Sequence, residues 1–341
     1  AVSATRAKDL LRRYEYESDR FQVTYADPQA QPGLVERLGV STEKLAGGLV
    51  HVAIGEESVE LDELSEESLT NALVKLTRRD RKKVYFLEGH NERAVQGEPA
   101  KGKDGMGFAA QALANENYTW ETLLLATREN VPEDADVVVV AGPTRPFHPT
   151  ELAALRRYVE GGGAVLVLID PRAQTNFGSE LASWGVNLGD DVVVDRVQGL
   201  FGRPVSPFAA EYAPHPITES LREATLFHVA RSVQASPEAD GAYTVLVRTS
   251  QESWGERDLE SFYADGRAEL GSDDLAGPVP VALAGSPPGA AEAGSKARLV
   301  VFGDSDFATN QLLREFRNRD LFVNSINWLL GDVEAITIRP G

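Results

Sequence analysis

The sequence predicts an α/β protein, a doubly wound and mostly parallel sheet preceded by a small α/β unit, and three observations carry that expectation. From Lys83 to Val194, strand-length apolar runs alternate with helix-length amphipathic runs, which is the rhythm of βαβ units. Two of those runs, residues 137–141 and 164–169, are apolar throughout, as strands covered on both faces must be. Near the end, Leu299-Val300-Val301-Phe302 passes directly into Gly303-Asp304-Ser305-Asp306, an apolar strand opening onto a Gly-Asp turn.

Residues 1–64 form the small unit. Residues 9–16 have helical spacing, 21–25 alternate as a strand, and 32–38 make a short helix closed by Gly39. Residues 49–54 and 59–61 pair as a hairpin around Gly55. The order helix, strand, helix, strand, strand, with the Asp27-Pro28 turn and the helix exit at 34–40, resembles the later part of a thioredoxin-like fold. Residues 65–80 are a connecting helix that Ser65 caps, with Glu66 and Glu67 in the first turn, where the helix dipole favours carboxylates.

Residues 81–341 carry the main sheet. Strands are expected at 84–87, 122–125, 137–140, 164–169 and 192–194, with helices at 106–115, 149–159 and 177–184 between them. The helix at 149 is the best specified, with Pro149 at its first position and Gly161-Gly162-Gly163 ending it. Between 196 and 295 the rhythm gives way to an irregular insertion, with strands at 226–233, 243–247 and 279–283 and a mobile loop at 287–294. The closing helix places Leu321, Phe322, Ile326, Leu329 and Leu330 on one side and stops at Gly331.

A net charge of -18 and a pI near 4.8 exclude a nucleic-acid partner, which needs clustered Lys and Arg to release phosphate counterions. With no cysteine, the chain has no disulfide, thiolate metal site or cysteine nucleophile. No apolar run approaches the roughly 18 residues needed to cross a bilayer. The chain begins Ala1-Val2-Ser3 without an initiator Met or signal peptide, so we read it as an excised segment, and any membrane anchors would lie outside it.

Several stretches, in order, carry a family resemblance. These are Tyr25-Ala26-Asp27-Pro28, Lys82 through Gly89-His90-Asn91-Glu92, residues 136–143, residues 152–171, His215-Pro216-Ile217-Thr218 and Gly303-Asp304-Ser305-Asp306-Phe307. Together they resemble the GldG family, with Asn91 standing where that pattern has glycine. The resemblance implies an extracytoplasmic auxiliary component of ABC-type transport systems, best known from gliding motility. It further implies a membrane-anchored protein facing the periplasm beside a permease and an ATPase, with no cofactor. Its second domain would be similar to class I glutamine-amidotransferase folds and to a domain of intraflagellar transport proteins. Amidotransferase chemistry needs a cysteine that this chain lacks.

Strand carboxyl ends of a doubly wound sheet converge on one edge. That edge should collect Glu88, His90 and Glu92, then Pro143, Thr144 and Arg145, then Asp170 and Arg172, and finally Asp304, Ser305 and Asp306. Carboxylates, an imidazole and guanidiniums together suit a polar solute, a sugar or a hard cation; the same residue types also serve as turn and helix caps. Trp254, in a polar stretch, is the candidate for an exposed stacking platform. A Ser305 nucleophile is disfavoured because Gly303-Asp304-Ser305-Asp306-Phe307 lacks the second glycine of the nucleophile elbow and its acids oppose an oxyanion. Residues 97–104 imitate a phosphate loop but place Asp104 at the hydroxyl position. Asp304-x-Asp306 lacks the remainder of a calcium loop, and His148, His215 and His228 lack a zinc spacing. The reading that follows is a non-catalytic scaffolding domain, with a ligand-binding module and a hydrolase as alternatives.

Overall fold

A computed structural model describes residues 4–18, 20–27, 30–38, 49–55, 57–61, 64–77, 81–197, 204–239, 241–288 and 297–331. The chain divides into two compact units, residues 1–81 and 82–341.

The first unit comprises α1 (Ala4–Glu17), α2 (Pro32–Leu38), the antiparallel hairpin β1 (Val50–Ile54) and β2 (Glu57–Leu61), and α3 (Glu66–Thr77). Its core is Leu10 and Leu11 of α1, Val52 of β1, Leu64, and Leu69, Ala72 and Leu76 of α3. Ser65 caps α3 as expected: its hydroxyl accepts from Ser68 N at 3.0 Å while Ser68 Oγ accepts from Ser65 N at 2.9 Å. Ser65→Ala should therefore destabilise α3 by about 1 kcal/mol, read as faster amide exchange across residues 66–77.

The expected strand at 21–25 does not form. Its backbone is drawn to the end of α1, with Phe21 N on Ser18 O at 3.1 Å and Val23 N on Glu15 Oε1 at 3.2 Å, and the Phe21 ring packs on Tyr14. Without it the described residues of this unit form a two-stranded sheet, and the thioredoxin-like likeness is not shown. Pro28, Gly39 and Val40 lie outside the described residues.

The second unit is built on an eight-stranded sheet. Its parallel half uses β3 (Lys83–Leu87), β4 (Thr119–Leu123), β5 (Val137–Ala141) and β6 (Ala164–Leu168), connected by α4 (Gly107–Asn115) and α5 (Pro149–Glu160). After α6 (Phe177–Ser183) come the short strands β7 (Val186–Leu188), β8 (Val192–Val194), β9 (Phe208–Ala209), β10 (Glu211–Tyr212), β11 (Thr225–Leu226) and β12 (Val233–Ala235). Then follow β13 (Tyr243–Arg248), β14 (Trp254–Glu256), α7 (Leu259–Asp265), β15 (Leu275–Ala276), β16 (Pro280–Gly285), β17 (Arg298–Phe302) and α8 (Asn318–Leu329). The sheet order is β10-β13-β16-β17-β6-β5-β3-β4; β17 runs parallel to β6, and β16, β13 and β10 add an antiparallel half.

Alternate residues of each central strand serve opposite faces. Val84, Phe86, Val139, Leu166 and Val300 pack with Met106 and Leu113 on the α4 side and Phe322 and Ile326 of α8. Tyr85, Leu87, Val138, Val165 and Val301 pack with Leu155 of α5 and Phe177 and Leu181 of α6. Both faces are covered, which is why these strands read as unbroken apolar runs. α8 ends as expected, with Gly331 at φ +74°.

Three expectations shift. β4 begins at Thr119, because Thr119 N is tied to Lys82 O beside β3. The single strand expected at 226–233 is two short ones, since His228 N, Val229 N and Arg231 N are bonded to Asp304, Val205 and Gly303 rather than to a neighbouring strand. Residues 289–294 of the expected mobile loop lie outside the described residues. Among the described residues no helix is long and apolar enough to cross a membrane.

Candidate functional site

The carboxyl ends of β3, β5, β6 and β17 bring two polar clusters to one edge. The first surrounds His90, 5% exposed and three residues past β3, whose ring stacks on Phe147 at 3.8 Å. Its Nδ1 lies 3.2 Å from Glu92 Oε1 and its Nε2 lies 3.0 Å from Glu151 Oε2. Glu92 also accepts from His90 N, and Glu151 from His148 N at the start of α5. An imidazole donates at both nitrogens only as the imidazolium, so the ring bridges two buried carboxylates when protonated. The loops are stitched together by Thr144 N and Arg145 N, both donating to His90 O. Asn91, at the position where the family pattern has glycine, takes the left-handed conformation at φ +63°, which asparagine tolerates better than most residues. Its side-chain amide donates to Thr144 Oγ1 at 2.7 Å.

The second cluster centres on Arg93. Its Nε donates to Ser305 Oγ at 3.0 Å, and its Nη2 to Asp306 Oδ1 at 2.6 Å and Asp170 Oδ2 at 3.4 Å. Ser305 donates through N and Oγ to the two oxygens of Asp170, at 2.6 and 2.7 Å. Asp304 is fully buried and accepts from Asp306 N at 2.6 Å and His228 N at 2.9 Å. Gly142, at φ +63°, brings the β5 backbone against this cluster; a Cβ there would sit 2.7 Å from Ser305 Oγ and 3.3 Å from Arg93 Nε.

Burial holds the Asp304 carboxyl well above its ordinary range, and the neighbouring Asp306 and Asp170 charges push the same way. Asp306 is raised too, by burial first, with Arg93 opposing. The folded protein therefore holds protons here that the unfolded chain has lost, so this contribution is full below about pH 4 and declines as pH rises through the raised values. Asp304→Asn should be most favourable relative to wild type at neutral pH and lose that advantage on acidification toward pH 4; urea melts of both proteins across that range check the sign.

Of the residues singled out from sequence, Asp170 and Ser305 meet directly, Asp306 joins them through Arg93, Asp304 braces them, and His90 and Glu92 pair with each other. Thr144 and Arg145 are exposed on the rim. Exposed Arg172, at φ +53°, turns from the cluster to stack on Tyr263 at 4.7 Å. Trp254 is a correction. It is 5% exposed within the small sheet β15-β14-β8, its Nε1 donating to Glu256 Oε2 at 3.2 Å, because the polar residues before it close a tight turn with Ser253 N on Ser250 O. It packs rather than presenting a platform. Ser305 is likewise fully buried with both its hydrogen-bonding roles engaged. Sequence reasoning missed Arg93, for which no local signal exists, and Glu151, which reads only as a first-turn acid of α5. Among the described residues, no group of three or more His, Asp or Glu could hold a metal ion.

No curated protein matches the chain. Among solved structures, the mmIFT52 N-terminal domain is similar at a TM-score of 0.54 and 16% identity, covering 72% of this chain and 97% of its own. A ThuA-like protein from Bacteroides uniformis aligns at 0.45 and 13%, covering 73% and 91%. The family model for the auxiliary component of an ABC-type uncharacterized transport system matches residues 81–325, from the first strand of the large sheet into its last helix. It does not single out GldG within that class. Spanning well over half of the sequence, the match means that the chain belongs to the family of ABC-type transport system auxiliary components.

Proposed function

We propose that the chain is a non-catalytic, extracytoplasmic scaffold of its transport system, of the GldG kind, held at the membrane by anchors outside residues 1–341 and docking on a permease and an ATPase. The observation that carries this reading is the state of the strand-end edge. Arg93, Asp170, Ser305 and Asp306 satisfy one another, and His90 is closed between Glu92 and Glu151. Groups so engaged stiffen a surface rather than wait for a substrate. Gliding motility is one process such a scaffold would serve. Co-purification of the intact protein from its native membrane should recover a permease and an ATPase; a protein recovered without either counts against the scaffold.

A second reading, a polar-solute or glycan site on the same edge, is favoured by Asn91 and Arg172. Both are non-glycine residues held in the left-handed region, Asn91 bonded to exposed Thr144 and Arg172 two residues past Asp170. If it holds, Asp170→Asn and Asp304→Asn abolish stabilisation by a bound oligosaccharide, and unchanged stabilisation rejects it. A hydrolase built on this fold would need turnover that disappears in Ser305→Ala.

A further inference from the structure

We propose that a cleft beside β7 and β12, separate from the strand-end edge, binds a small zwitterionic solute of the amino-acid class. The cleft is open to solvent, with a volume of about 430 Å³, and is lined by Asn187, Gly189, Asp190, Ser232, Gln234 and Arg257, with Leu188 the one apolar lining residue. That volume lies toward the small end of ligand pockets, which run about 300–1,000 Å³.

Four features define the ligand. Asn187 and Gln234 are directly opposite in the antiparallel β7–β12 register, with Cβ atoms about 5 Å apart, and both are exposed, so one wall carries a pair of side-chain amides. Asp190 and Arg257 bring one negative and one positive group to the same cleft, and no ion pair joins them among the described residues. A ligand carrying both charges answers each with its opposite: the guanidinium takes a carboxylate and the carboxylate takes an ammonium. No aromatic side chain lines the cleft, which removes the stacking face a sugar ring would use.

The cleft is also preorganised. Gly189 N donates to Ser232 O at 2.8 Å, and Arg231 donates through Nε to Gly189 O at 2.7 Å. Asp191, 1% exposed, holds Ser232 through N at 2.8 Å and Oγ at 2.6 Å. Arg257 is steadied by Nη1 on Asp273 O at 2.7 Å and by its own backbone N on Asp274 Oδ1 at 2.8 Å, leaving further guanidinium donors for a carboxylate. The floor and the cation are thus fixed before a ligand arrives, which lowers the ordering cost of binding.

The test is calorimetric titration of the full chain with glycine, L-alanine, L-glutamine, L-glutamate and L-lysine, and with glucose and glycerol as uncharged polar probes. At least one amino acid should bind at millimolar concentration or tighter. Arg257→Gln and Asp190→Asn should each weaken it at least tenfold, and Gln234→Ala severalfold, with near-UV circular dichroism unchanged. Absence of amino-acid binding, binding of glucose or glycerol alone, or binding untouched in both charge variants would overturn the proposal. Glutamate binding that depends on Arg257 but not on Asp190 would overturn the zwitterion in favour of a plain anion.

Discussion

A Gly303→Ala variant is expected to lose more than about 3 kcal/mol of stability in the large unit. Gly303 follows β17, and a Cβ placed on it would fall on the carbonyl oxygen of Arg231, far inside van der Waals contact. The obstacle is backbone, and it is held from both sides. Arg231 N donates to Gly303 O at 2.8 Å, and Gly303 N donates to Val281 O of β16 at 2.9 Å. No side-chain tip can swing away, so relief requires moving one of two neighbouring strands or the loop that carries His228. Because the next three residues supply Asp304, Ser305 and Asp306, the displacement would also loosen the Arg93 cluster. Urea unfolding of the variant measures the cost, and a loss below about 1 kcal/mol would show that the 227–232 loop gives way freely.

His215 should give the protein an acid-sensitive component that His215→Gln removes. Burial, and then the nearby Arg298 charge, push the imidazole down from its ordinary 6.5 to about 4. The neutral ring is built in: Nδ1 accepts from Ile217 N at 3.2 Å, and the ring meets Trp328 edge to face at 5.1 Å, with the Arg298 guanidinium over that same indole. A folded value below the unfolded one means stability that is complete above about pH 6.5 and lost as pH falls toward 4. Allowing for partial solvent exposure, about 2 kcal/mol should go over that interval. The stability difference between wild type and His215→Gln, measured by denaturant titration at pH 7 and near pH 4.5, should shrink by that amount on acidification. A constant difference would mean that the ring protonates in place without cost. The sign is opposite to that at Asp304, so the two variants separate the contributions.

The parallel half of the sheet was legible because its strands are covered on both faces and turn continuously apolar, with Pro149 and the Gly161–Gly163 run marking a helix between them. The long antiparallel strands β13 and β16 were legible as well, at 243–247 and 279–283, whereas β9 to β12 were not. Those are two or three residues long, and their limits are set by distant partners such as Asp304 for His228 N. Strand ends told where Asp170 and Ser305 would gather, since topology alone delivers them to one edge. Arg93 was invisible for the converse reason: its partner Ser305 lies 212 positions away, and nothing local distinguishes it from any surface arginine. Trp254 misled because polar neighbours were taken for solvent exposure, when they close a turn that buries the ring.

The placement of β17 has a consequence for how the protein is made. Residues 298–302 pair with 164–168, so the middle of the sheet closes only once the chain has been made as far as Phe302. Until then β6 presents an open, wholly apolar edge, the kind of template that other chains pair with. A nascent chain stalled or cleaved anywhere between residues 170 and 297 carries that edge uncovered. Keeping the unfinished chain from pairing through β6 until Arg298–Phe302 emerges is therefore a task that the order of the elements leaves to chaperones.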